Sequence, residues 1–266
     1  MYLSREMIVN TILKIDTFKE KLENLYSDFD IDVNENTGRR NALLSSIQEK
    51  VLSDELSKEY TGVENDGAPG KPDIVIGQIN TELECKLTSG SGKKSRSYSL
   101  QTDYATIQNK EVLDYLYIIT NKDMTEYSAL YFEGLTPEDF CLPAEGSRGK
   151  ARMSKKVAFE KATPLVGGFK SVNEENIKKY EKRIELESIK HLDKTKDLIL
   201  ETPSFIESGN FSSLIKRIKN EDQLYKSRVE KINDKISLWK EKENSYSIEF
   251  ESLEAIKSED NKNEQD

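Results

Sequence analysis

The chain is poor in the residues on which much metal and redox chemistry depends. Its 266 residues include one histidine, His191, and two cysteines, Cys85 and Cys141. Nucleases with a histidine base, and zinc sites of imidazole and thiolate, need more of both, so those mechanisms are set aside. The cysteines are too far apart for a CxxC unit and read as reduced core thiols. His191 lies in a charged helical stretch and reads as a surface or packing residue. No run of about 18 apolar residues is present, 33% of the residues are charged, and the first ten residues lack the basic-then-apolar pattern of a signal peptide. The expectation is a cytoplasmic protein with no membrane partner. The formal net charge of −9 is the wrong sign for binding phosphate, so a nucleic-acid role must rest on how the cations are distributed.

Against this background, Lys71–Leu87 (KPDIVIGQINTELECKL) stands out. Asp73–Gly77 is apolar and rich in β-branched residues, and Thr81–Leu87 alternates polar with apolar at the period of a half-buried strand. On such a strand Glu82, Glu84 and Lys86 share one face, and Leu83, Cys85 and Leu87 take the other. A hairpin turning near Gln78 and Ile79 places Asp73 opposite Glu84. Two carboxylates and an ammonium then converge. Like charges facing each other destabilise a sheet unless a cation lies between them, and oxygen-only ligation suits a hard, hydrated ion such as Mg²⁺. The plain alternative is a surface hairpin whose Glu84 and Lys86 are merely solvated; the apolar second face argues for an internal strand.

At these residues the chain resembles the PD-(D/E)xK nuclease superfamily, and within it type II restriction endonucleases. The motif is Pro72-Asp73 followed by Glu84-Cys85-Lys86, and the resemblance covers roughly Arg39 to Phe132. It implies Asp73 and Glu84 as metal ligands and catalytic residues, Mg²⁺ as cofactor, and Lys86 as the residue that holds or deprotonates the attacking water and offsets charge on phosphorus. In that family a helix before the Pro-Asp strand often adds another acid, for which Glu49 is the candidate; an exposed glutamate on a charged helix face is the alternative.

Cations gather in two places. Lys93, Lys94 and Arg96 follow the ExK strand in a Ser/Gly loop, and Arg148, Lys150, Arg152, Lys155 and Lys156 form a second run in GSRGKARMSKK. Both have the composition of a loop set against a DNA backbone, and a solvated basic loop is the alternative for the second. Gln101, near the start of a helix expected over Tyr98–Glu111, is placed to reach the lysine or a phosphate, or to act as a cap or surface residue.

Helical spacing over Met1–Tyr26 and Gly38–Leu56, the hairpin, and strands at Asp114–Thr120 and Tyr127–Phe132 give an α/β fold. A mixed central sheet flanked by helices, a restriction-endonuclease-like core, is followed by a C-terminal helical region. The acidic connector from Asp28 to Asn34 is read as leading to a helix start. Three segments are expected: a nuclease-like domain over 1–170, a helical arm or dimerisation region over 171–257, and a disordered acidic tail over 258–266. In the arm, Tyr225, Val229, Ile232, Ile236 and Trp239 form a heptad seam facing Ile177, Tyr180 and Ile184 or a second protomer, and Tyr246, Phe250 and Leu253 continue it. The functional expectation is a Mg²⁺-dependent, sequence-specific endonuclease of double-stranded DNA, working as a homodimer because a palindrome has two-fold symmetry. A structure- or end-specific repair or phage nuclease of the same superfamily is one alternative. An inactive interaction protein built on its helices is another.

Overall fold

The computed structural model describes residues 1–66, 71–90, 98–144, 149–243 and 245–263. Two compact units emerge. The larger comprises Met1–Phe169 with Ile248–Asp266, and the smaller comprises Lys170–Ser247.

In the larger unit, Ile8, Ile12 and Ile15 recur at helical spacing and are fully buried on α1 (Arg5–Ser27). Each contributes on the order of 2 kcal/mol by leaving water. Ser4 caps this helix by accepting the Met7 N–H at 3.2 Å. The acidic connector ends, as expected, at a helix start: the Asn36 side chain accepts the Arg39 N–H at 3.0 Å and opens α2 (Thr37–Glu59). Leu44, Leu52 and Leu56 of α2 join the same core.

The strands β1 (Val63–Glu64), β2 (Ile74–Ile76), β3 (Thr81–Ser89) and β4 (Gln101–Asp103) come next, followed by α3 (Tyr104–Lys110). Then come β5 (Leu113–Thr120), β6 (Glu126–Leu135), β7 (Phe140–Cys141), β8 (Lys150–Met153), α4 (Lys155–Lys161) and β9 (Ala162–Val166). The main sheet has the order β1-β2-β3-β5-β6, with β9 also paired to β6. β3 and β5 run parallel and the other neighbours antiparallel, so the expected mixed sheet between helices is what the chain forms. A parallel pair needs a crossover, and β4 and α3 lie within it. Alternation then sorts the side chains. Leu83, Cys85, Leu116 and Ile118 meet α1 and α2 on one face. Tyr115, Tyr117, Ile119, Leu130 and Phe132 on the other meet Ile107 of α3, Ala158 of α4 and a small sheet in the order β4-β8-β7.

The crossover and the basic run depart from the sequence reading. Tyr98–Glu111 is not one helix, because Gln101–Asp103 is extended and pairs with β8. The segment Lys150–Met153, read as part of a basic loop, is a strand: Ala151 and Met153 are buried while Lys150 and Arg152 face outward. The apolar positions were there at period two, masked by the charge between them. Cys85 is buried as expected, but Cys141 is exposed, since it lies at the end of the two-residue strand β7.

From Gly168 the chain continues through β10 (Gly168–Ser171), α5 (Val172–Leu200), α6 (Thr202–Glu207) and α7 (Phe211–Glu241) to β11 (Tyr246–Glu249), which pairs with β10. Within the smaller unit α5 packs on α7, as the seam suggested. Ile232 and Ile236 are buried, and His191 stacks on Tyr225 with ring centroids 4.4 Å apart. The Asn173 amide donates to the Lys242 carbonyl at 2.8 Å.

The seam does not continue as helix after Glu243. Tyr246, Ile248 and Phe250 also alternate at period two, and this pattern prevails. β12 (Glu251–Ser252) pairs with β6, and α8 (Leu253–Asn263) follows. The helical unit therefore ends before 257, and the residues beyond 258 continue as helix as far as Asn263. Arg5 holds this return by pairing with Glu251 at 2.6 Å and Glu259 at 2.7 Å. The close approach also requires Gly167 (φ +71°), where a Cβ would lie 2.3 Å from the Glu249 carbonyl oxygen.

Candidate active site

A 3-10 turn over Gly77–Ile79, followed by Asn80 in the left-handed region (φ 50°), reverses the chain between β2 and β3. Asparagine tolerates that conformation better than most residues. The register pairs Ile76 with Thr81, Val75 with Glu82 and Ile74 with Leu83. One step further sets Asp73 against Glu84. The β2 ladder has ended there, so the Cys85 N–H is not used by a neighbouring strand on that side; it donates to Asp73 Oδ2 at 2.7 Å. Lys86 Nζ lies 3.8 Å from the same oxygen and donates to Glu84 Oε1. The three side chains are 19%, 8% and 26% exposed for Asp73, Glu84 and Lys86.

The electrostatics of the cluster are unbalanced. Burial pushes the Glu84 carboxyl above the usual range; Lys86 opposes this and Asp73 adds repulsion. Burial works against the charge on Lys86, yet the Glu84 and Asp73 carboxylates outweigh it and raise the ammonium's pKa. Glu49, half-buried on α2, feels the same groups. Burial pushes its carboxyl up to about 7, with Asp73 and Glu84 repelling and Lys86 offsetting part of this. One ammonium thus serves three acids. Glu84 Oε2 is also buried with no hydrogen-bond partner among the described residues, an expensive state for a carboxylate oxygen.

Several flanking residues were not identified from the sequence as part of the site. The parallel register sets Tyr115 beside Glu84 and Tyr117 beside Lys86. Burial pushes the Tyr115 phenol up to about 12 and raises Tyr117 as well, so both stay protonated and form a wall. Tyr115 Oη is 2.9 Å from Thr102 Oγ1, and Tyr117 Oη donates to the Gln101 carbonyl at 3.1 Å. These bonds bring β4 over the acidic face, where the Asp103 charge also raises Glu84. The aromatic and branched residues of DYLYIIT marked a strand, but nothing in them gave the strand's neighbour.

The proposed DNA contacts divide. Lys93, Lys94, Arg96 and Arg148 lie outside the described residues. Gln101 is opposite Arg152, and Asp103 opposite Lys150, on the outward face of the small sheet. Lys150 pairs with Asp103 at 2.7 Å, which offsets its charge for a phosphate. Lys155 and Lys156 are exposed in the first turn of α4, and Lys156 Nζ is 3.9 Å from Glu160.

The chain matches no protein-family model, no curated protein and no solved structure. Among the described residues no group of three or more His, Cys, Asp or Glu side chains is gathered so as to hold a metal ion, and no helix is long and apolar enough to cross a membrane. A hydrated Mg²⁺ needs only one or two protein carboxylates, the remainder of its shell being water and phosphate. Asp73, Glu84 and the unpartnered Oε2 fit that requirement.

Proposed function

We propose that the chain is a Mg²⁺-dependent endonuclease of double-stranded DNA, of restriction type, with Asp73, Glu84 and Lys86 at its centre and Glu49 as an auxiliary acid. The observation that carries this reading is the buried, partnerless Glu84 oxygen beside Asp73, in a cluster with more acids than cations. Asp73 and Glu84 would hold the ion, which when bound activates a water and offsets charge on the phosphate. Lys86, kept protonated by its two carboxylates, orients the attacking water and donates to the oxygens on which negative charge builds as phosphorus is attacked. It acts as a donor rather than a base. The new bond joins the water oxygen to phosphorus as the bond from phosphorus to the bridging oxygen breaks; the water gives up one proton to solvent and the leaving oxygen takes one up from solvent, so that one water is consumed. The protonated tyrosines form the dry wall that keeps these interactions strong.

Homodimerisation belongs to the same proposal, since cutting both strands at a symmetric site calls for two centres. Leu186, Ile189, Leu192 and Leu200 are at least half exposed on the helical unit, which supports an interaction role for that unit. The test is incubation with plasmid or phage DNA in Mg²⁺ or EDTA. Discrete bands are expected with Mg²⁺ alone, from wild type and not from Glu84→Ala or Lys86→Ala, with DNA binding largely retained in both variants. Cutting by either variant at the wild-type rate refutes the assignment, and smearing or end-trimming would indicate a structure- or end-specific nuclease.

A further inference from the structure

The helical unit carries a charge of its own kind. Over Lys170–Ser247 there are 17 lysines and arginines against 15 acids, a balance of +2 in a chain whose total is −9. The excess is concentrated in one place. Between α5 and α7 runs an open groove of about 270 Å³, bordered by Tyr180, Arg183 and Glu187 on one side and Arg228, Lys231 and Lys235 on the other. Four cations thus meet one carboxylate. Glu187 is already engaged, donated to by Lys190 at 3.1 Å and by Arg228 at 3.2 Å. Arg183, Lys231 and Lys235 are exposed and form no ion pair with a described residue.

Spacing makes the groove a linear array. Residues 228, 231 and 235 repeat at three and four on α7, and 180, 183 and 187 do so on α5, so each set forms one stripe along its helix. From Arg228 to Lys235 the helix rises about 10 Å, the axial length of about three phosphates on one strand of B-form DNA. The floor is the buried Ile232, which gives a small polar ligand no hydrogen-bonding group at depth. The groove suits an extended anion held from its rims, with the half-buried Tyr180 ring available against a sugar.

We propose that this groove binds the phosphate backbone of duplex DNA, through Arg183, Lys231 and Lys235, as a sequence-independent contact separate from the acidic site. The choice of DNA as the polyanion rests on the nuclease reading; the array of unpaired cations does not.

The test is equilibrium binding of the full chain to a labelled 30-base-pair duplex in EDTA, where nothing can be cut, over a series of salt concentrations. The Arg183→Gln/Lys231→Gln/Lys235→Gln variant is compared with a control of equal charge change outside the groove, Lys219→Gln/Lys226→Gln/Lys240→Gln. All six side chains are exposed, and far-ultraviolet circular dichroism verifies that helix content is unchanged. The groove variant is expected to bind about ten- to a hundredfold more weakly at 0.1 M salt, with the slope of log affinity against log salt reduced by about 2–3, while the control stays near wild type. Three results overturn the proposal: equal affinity and slope for the groove variant, equal loss in the control, or no wild-type binding to the duplex. Loss of cutting in Lys86→Ala with the salt slope of the groove intact keeps the two claims apart, since the first tests the acidic site and the second the groove.

Discussion

Glu84 on the sheet and Glu187 on the helical hairpin both accept hydrogen bonds from basic side chains, yet their acidities move in opposite directions. Glu187 accepts from both Lys190 and Arg228, and these contacts lower its pKa. Glu84 accepts from Lys86, but burial raises its pKa, and Asp73 raises it further. An ion pair alone therefore does not set the direction in which a carboxylate's acidity moves. What separates the two is not exposure, since the side chains are 8% and 14% exposed, but the supply of cations: Glu187 is met by two basic side chains, whereas Glu84 shares its one ammonium with other acids. At Glu187 the cations outnumber the acid they meet, whereas the sheet cluster sets three acids around one ammonium and must solve its charge problem from within.

The largest expected effect sharpens this contrast through activity. If the sheet cluster is the working site, Lys86→Ala lowers the cutting rate by about a thousandfold or more, as loss of a charge-stabilising donor does. Arg228→Ala, which removes one of the two cations at Glu187, should change the single-turnover rate at saturating protein by less than about threefold. Comparable losses in the two variants would erase the distinction.

Stability provides the next test. Lys86→Met keeps most of the stem but leaves Glu84 and Asp73 with no ammonium, and without divalent metal it should cost about 3 kcal/mol, the lower end for breaking a buried pair. Urea unfolding at pH 8 in EDTA measures it. Adding Glu84→Gln should restore most of the loss, because the uncompensated charge goes with it. Arg228→Met should give no resolvable shift in the urea midpoint. If the two methionine variants behave alike, the supply of cations, two at Glu187 and one at the sheet cluster, is not what distinguishes the sites.

The sequence showed the core of the site and little of its surroundings, for a physical reason. A hairpin's register is set by its turn, so Asp73 opposite Glu84 followed from counting out from Gln78 and Ile79, and strand alternation placed Lys86 beside them. A parallel pair has no such turn. Tyr115 and Tyr117 reach Glu84 and Lys86 only through a crossover, and their own segment carries no record of which strand they join. Glu49 was found through the family resemblance, and its helix had equal room for a solvated role. Over Lys150–Met153 charge hid a strand, and over Tyr246–Leu253 two periodicities were present together. Tertiary partners decided between them: β4 for the first and β6 for β12 in the second.

The smallest effect is in the pH dependence, and Glu49 is the group to follow. In the metal-free protein its carboxyl titrates at about 7, above the ordinary glutamate value near 4.3 in an unfolded chain. Between those values the native state holds a proton that the unfolded state has released. Its contribution to stability is therefore present in full at low pH and falls as pH rises from about 4.3 through about 7. The group is only half-buried, so solvent screening leaves on the order of 1–2 kcal/mol of the shift. Glu49→Gln cannot titrate and should lack this decline: urea midpoints of wild type and variant should converge near pH 5 and separate by pH 8, the variant being the more stable in EDTA. Glu187→Gln should not have this effect, because Glu187, held by Lys190 and Arg228, titrates below the ordinary value and stays ionised across the interval. Parallel curves for wild type and Glu49→Gln would place Glu49 in ordinary solvent and reduce the acidic cluster to Asp73 and Glu84.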